Sequence, residues 1–180
     1  MLPGKGNVVA CLLALSSAHG VLAADPVSPP VVPAAIAVPD GHELKVRFSA
    51  TGVQIYMCQA SPAASTDFVW TFVAPEATLS AADGSKAGHH YAGPTWEAND
   101  GSKVVGKLVA KAPAPDGASI PWLLLSGTVA QPGATLERVV FVQRINTQGG
   151  GAPGSGCSSD AAGTEARVPY TADYYFFAPR

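Results

Sequence analysis

No apolar run in this 180-residue chain reaches the length of about 20 residues that a membrane-spanning helix needs. An excess of positive charge is missing too. Eleven Lys and Arg stand against thirteen Asp and Glu, for a formal net charge of −2, and charged residues make up only 13%. That excludes the basic field of a nucleic-acid binder and the polybasic patch of a membrane-surface protein. The familiar catalytic signatures are absent: there is no G-x-S-x-G elbow, no P-loop and no H-E-x-x-H. Gly149, Gly151 and Gly154 do spell G-x-G-x-x-G, but Ser-Gly-Cys-Ser-Ser follows where a dinucleotide site needs a helix. No N-x-S/T acceptor occurs, and no helical periodicity persists beyond two turns.

Cysteine is scarce, and its placement is informative. Lys5, the apolar Val8–Leu15 and the small-residue pattern Val21-Leu22-Ala23 read as a secretory signal over residues 1–23, with Ala24 the first mature residue. Cys11 leaves with that signal and is not placed as a lipid anchor. Losing Lys5 makes the chain one charge more negative. Cys58 and Cys157 remain as an even pair, and in the oxidising periplasm or outside the cell they are expected to form a disulfide.

What the chain has in plenty is glycine (19) and proline (16), with 47% hydrophobic residues. This favours many short elements and tight turns around a real core. Asp25–Pro39 is Pro-rich and reads as an extended lead over residues 24–39, either a tether or an edge segment along the domain. A single β domain is expected over residues 40–180. His42–Phe48 alternates, and after a Ser-Ala-Thr-Gly turn Val53–Cys58 does so again. Phe68–Val73, Ser102–Lys111, Leu136–Ile145 and Tyr170–Phe177 read as further strands. Pro121–Ala130 is a continuous apolar run that suits a strand buried on both faces. About eight strands predict an antiparallel sandwich or small barrel. A membrane barrel fits poorly, because Leu123-Leu124-Leu125 breaks the alternation and aromatic girdles are missing. Between Ile145 and Tyr170 lies a long glycine-rich loop that Cys157 would pin for stability.

The densest chemistry lies in Gly88–Lys103, GHHYAGPTWEANDGSK. Turn signals at Gly93-Pro94 and Asn99-Asp100-Gly101 predict a hairpin presenting a polar, aromatic surface. Its candidate binding residues are His89, His90, Tyr91, Trp96, Glu97, Asp100 and Lys103. Adjacent strand residues point to opposite faces, so His89 and His90 do not readily share one metal ion, and no metal or other cofactor is expected. Glu97 and Asp100 could pair as hydrolytic carboxylates, but turn chemistry already accounts for Asp100 beside Gly101. Trp96 alternates with Glu97 and fits a core-facing ring.

The blocks GVQIYMC, W-x-F-x-x-P-E-A-x-L, HHYAGPTWEANDGS, IPWLLL, the QRINTQGG-to-Cys loop and VPYTADYYFF resemble an uncharacterised secreted family catalogued as domain of unknown function 3455. The resemblance runs from about Pro39 to the C-terminus. It implies an exported single-domain protein and carries no catalytic or binding assignment. The resulting expectation is an exported, non-enzymatic binding or interaction module for a small molecule, a glycan or a protein. The alternatives are a hydrolase using His89 or His90 with Glu97 or Asp100, with or without the help of a metal, and a structural envelope or matrix protein.

Overall fold

A computed structural model describes Met1, residues 28–64 and residues 66–180. Apart from Met1, the expected signal and the start of the lead lie outside the described residues. Eight strands run in chain order: β1 (His42–Ala60), β2 (Phe68–Ser80), β3 (Lys86–Tyr91), β4 (Thr95–Ala98), β5 (Lys103–Ala112), β6 (Trp122–Gln131), β7 (Phe141–Gly149) and β8 (Glu165–Pro179). Each pairs antiparallel with the next, and β8 returns to β1, so the sheet closes into a barrel. Among the described residues, only two single 3-10 turns break the β pattern, Ala34–Ile36 and Ser159–Ala161.

Strand alternation explains the closure. Phe48 and Ala50 of β1, Trp96 and Ala98 of β4, and Val104 of β5 turn inward. They meet Leu125, Val142 and, from β8, Tyr170, Ala172, Tyr174 and Phe176 in one cluster. An apolar interior is the reverse of a membrane barrel, whose lumen is polar. A second cluster lies outside the wall. Ile36, fully buried, packs with Leu124, Ile145, Tyr175 and Phe177, and Gln143 Nε2 donates to the Ile36 carbonyl at 2.7 Å. The described part of the Pro-rich lead therefore lies along the barrel. It also buries the second face of the leucine run, since Leu125 faces the interior and Leu124 faces Ile36.

The structure corrects several expected elements. Ser49–Gly52 is not a turn, because β1 runs unbroken through it. A Cβ at residue 52 would run into the Glu76 carbonyl oxygen, so Gly52 allows close strand approach rather than reversal. Strand β2 continues past Pro75, which sits beside the register irregularity at Ile55/Tyr56 and beyond the reach of β3, where no ladder donor is needed. The focal hairpin is three strands and two turns, with the Asn99-Asp100-Gly101 turn joining β4 to β5. Residues 136–140 are not strand: Arg138 is left-handed (φ 57°), and Leu136 and Val139 turn into the core. The glycine-rich loop is shorter than expected, since β7 extends to Gly149 and β8 begins at Glu165. Cys58 and Cys157 are joined, with Cα atoms 5.3 Å apart.

Candidate functional site

The barrel wall has a notch, and strand length makes it. Strand β3 covers β2 only from Ala77 to Ser80, and β4 covers β5 only from Lys103 to Val105. The first half of β2 and the second half of β5 therefore flank a gap. The turn Ala92–Pro94 forms its edge, held by Thr95 Oγ1 donating to the Ala92 carbonyl at 2.8 Å and by the Gly106 amide donating to Pro94. Large apolar side chains stand exposed on both flanks: Phe72 (50%) and Val73 (50%) on β2, Leu108 (54%) and Val109 (56%) on β5.

Behind the notch lies a cavity of about 260 Å³. Phe72, Val73 and Pro75 line it from β2, and Gly93 and Pro94 from the turn. The barrel interior contributes Trp96, Leu123, Leu125 and Tyr174 as apolar wall, with Gln54, His90 and Arg144 as polar groups. No Asp or Glu lines it.

His90 is 2% exposed and stacks on Trp96, with ring centroids 4.6 Å apart and planes 9° from parallel. Its Nδ1 lies 2.8 Å from the Thr95 carbonyl, which can only accept, so Nδ1 carries the proton and Nε2 is left as an acceptor. Burial holds the imidazole pKa down to about 3, against the pull of that carbonyl and with help from the Arg144 charge, so the ring is neutral. Burial likewise pushes the Tyr174 and Tyr170 hydroxyls up, and the two oxygens lie 3.3 Å apart. The Arg144 guanidinium holds the Pro121 carbonyl through Nε (3.2 Å) and Nη2 (2.9 Å). It has no carboxylate partner among the described residues. Gln54 Nε2 and Trp96 Nε1 are buried donors with no partner.

The seven expected site residues divide into three groups. His90 and Trp96 face the cavity. His89 is paired with Glu97 across β3 and β4 on the outer surface, where Glu97 accepts from the Tyr91 hydroxyl (2.8 Å) and lies 3.3 Å from Lys103 Nζ. Those hydrogen bonds and the Lys103 charge lower the Glu97 pKa. Asp100 clasps two loops together. It accepts from the Ser102 amide and hydroxyl and, at 2.8 Å, from the Thr135 amide, and these bonds keep its carboxyl well below the usual range. His90, Glu97 and Asp100 therefore do not converge, because strand alternation and the turn send them to three different places. No group of three or more His, Cys, Asp or Glu among the described residues is placed to hold a metal.

Sequence reasoning missed Gln54, Phe72, Arg144 and Tyr174 as lining residues. A usable signal existed: Gln54 continues the even-numbered series Phe48 and Ala50, and Arg144 follows Val142, so each puts a polar side chain at an inward position. The Cys157 loop is moored beside the barrel. The Tyr56 hydroxyl donates to the Gly150 carbonyl at 2.6 Å, Trp70 Nε1 to the Ser155 carbonyl at 2.9 Å, and the Cys58 amide to Thr164 at 3.0 Å.

Against known proteins, one family matches, described as Protein of unknown function (DUF3455), over residues 39–178. No curated protein and no solved structure matches the chain.

Proposed function

Because the chain belongs to the DUF3455 family, whose description assigns no activity, we propose a function from the barrel itself: an exported module that binds one small apolar molecule behind the notch. The observation that carries this reading is the cavity of about 260 Å³, walled by Trp96, Leu123, Leu125 and Tyr174 and opening between exposed apolar flanks. Eight-stranded barrels have interiors just wide enough to be filled by side chains or to hold one small ligand. Here the space is not filled. A dry engineered cavity of about 150 Å³ already takes benzene, so this one has room for a substituted or fused ring. Its size is just under the usual lower bound of about 300 Å³ for ligand sites, which restricts it to a small ligand.

Chemistry favours binding over hydrolysis. His90 is neutral and already committed to Thr95, and the carboxylates that could serve it are elsewhere. On the outer surface Tyr91 and Lys103, both half-buried, are taken up by Glu97, and His89 beside them is exposed, an arrangement usual for solvated surface charge.

Leu123→Trp should fill the cavity from a partly buried position. Thermal shift and intrinsic fluorescence with naphthalene-based probes should show saturable binding to the wild type and none to this variant, with the fold retained by circular dichroism. Equal binding to both would remove the cavity as the site. Export is supported by the signal-like N-terminus and the disulfide. The mass of protein recovered outside the cytoplasm should correspond to a chain starting at Ala24; an intact Met1 there would refute cleavage.

A further inference from the structure

The polar groups around the cavity are unbalanced, and the imbalance describes a ligand. Gln54 is 2% exposed and Trp96 1%, and the donor nitrogen of each makes no well-formed hydrogen bond, Gln54 only approaching the Tyr170 hydroxyl. A buried donor left unmade is costly, so two such donors on residues lining one cavity are uncommon unless something meets them. Arg144 adds a guanidinium that keeps donors beyond the two holding Pro121, and neither an Asp nor a Glu lines the space to offset its charge. Acceptors are fewer: the His90 Nε2 lone pair, the Gln54 amide oxygen and the Tyr174 hydroxyl. The apolar wall already accounts for a ring, with Trp96, Phe72, Leu123 and Leu125 around it. What the cavity lacks is an acceptor-only, negatively charged group.

We infer that the ligand is a small apolar carboxylate, its hydrocarbon body against Trp96, Phe72, Leu123 and Leu125 and its carboxylate taken by the Arg144 guanidinium with the N–H groups of Gln54 and Trp96. This rests on the binding function proposed for the same cavity. Arg suits the task because its planar fork matches a carboxylate, and charge-assisted hydrogen bonds are about twice as strong as neutral ones. An ammonium-bearing ligand would meet Arg144 as a like charge and is excluded.

The test compares 2-naphthoate with 2-naphthamide, which share shape and ring but differ in charge, by titration calorimetry on the full mature chain. The acid should bind the wild type on the order of tenfold more tightly than the amide, as a charge-assisted bond predicts. Its advantage should vanish as pH falls through the acid's own pKa near ~4. Arg144→Met should equalise the two probes, and Arg144→Lys should restore part of the preference. Because Arg144 also holds the Pro121 carbonyl, its variants are first checked for a native circular dichroism spectrum; should they unfold, the acid–amide comparison on the wild type at neutral pH decides. Equal affinity of acid and amide at neutral pH overturns the carboxylate inference while leaving the cavity as a binding site. Failure of both probes, with Leu123→Trp indistinguishable from wild type, removes the binding function itself.

Discussion

Cys58→Ser, Cys157→Ser or reduction of the wild type should each lower the unfolding free energy by about 4–5 kcal/mol. The bond joins residues 99 apart in sequence and closes a loop that holds β2 to β7, so cutting it frees that loop in the unfolded chain and raises that state's entropy. In a domain whose total stability is about 5–15 kcal/mol, that loss decides whether the chain stays folded on warming. The double variant should be no worse than either single one, since both open the same loop. Local mooring does not replace the bond. The hydrogen bonds from Trp70 to Ser155 and between Cys58 and the Gly163–Thr164 backbone hold the loop only once the barrel exists. Urea melts of the three variants check this. Midpoints unchanged by reduction would contradict it, and two reactive thiols in the native protein would contradict the pairing itself.

The second large effect is acid lability. His90 is buried neutral, with its pKa lowered from 6.5 to about 3 mainly by burial. In that window the unfolded chain binds a proton that the folded one refuses, so stability falls as pH drops below 6.5 and stops falling near the folded value. Each pH unit costs about 1.4 kcal/mol, for a total on the order of 5 kcal/mol. The groups packed on His90 do not relieve this: Arg144 on β7 adds positive charge, Tyr174 on β8 stays neutral, and Trp96 on β4 is uncharged. Carboxylates with lowered pKa, Asp100 among them, contribute in the same direction, but only as pH falls toward their unfolded values near ~4. The interval from 6.5 to 5 therefore isolates His90. His90→Phe, which keeps an aromatic ring against Trp96, should flatten the stability slope there by close to one proton. Identical slopes for variant and wild type would show that the buried imidazole is not the acid-sensitive group.

The fold was readable because alternation is a strong signal in strands of this length. His42–Phe48, Ser102–Lys111 and Tyr170–Phe177 each lie within or almost within an observed strand. The disulfide pairing followed from Cys58 and Cys157 being the two cysteines outside the signal-like N-terminus. The choice between sandwich and barrel was not readable, because closure depends on β8 pairing with β1 across more than a hundred residues. The candidate site was readable only in part. His90 and Trp96 lie in the right stretch, but the stretch alternates, so its remaining residues face solvent or cap a turn. Gln54 was lost for a specific reason. Reading Ser49–Gly52 as a turn broke the register that would have carried the inward series from Phe48 to Gln54. The notch was out of reach of pattern reasoning, since it arises from β3 and β4 being shorter than their neighbours.

The most direct measurement follows the three tryptophan indole N–H signals by NMR while 2-naphthoate is added to the purified protein. Trp70 donates to Ser155 beside the loop, and Trp122 packs against the outer cluster with Ile36. Trp96 lines the cavity, and its Nε1, like that of Trp122, is a buried donor without a partner. The account predicts a saturable downfield shift of the Trp96 signal, identified by its loss in Trp96→Phe, with the other two nearly still. A Trp96 signal that stays fixed at saturating probe would contradict it.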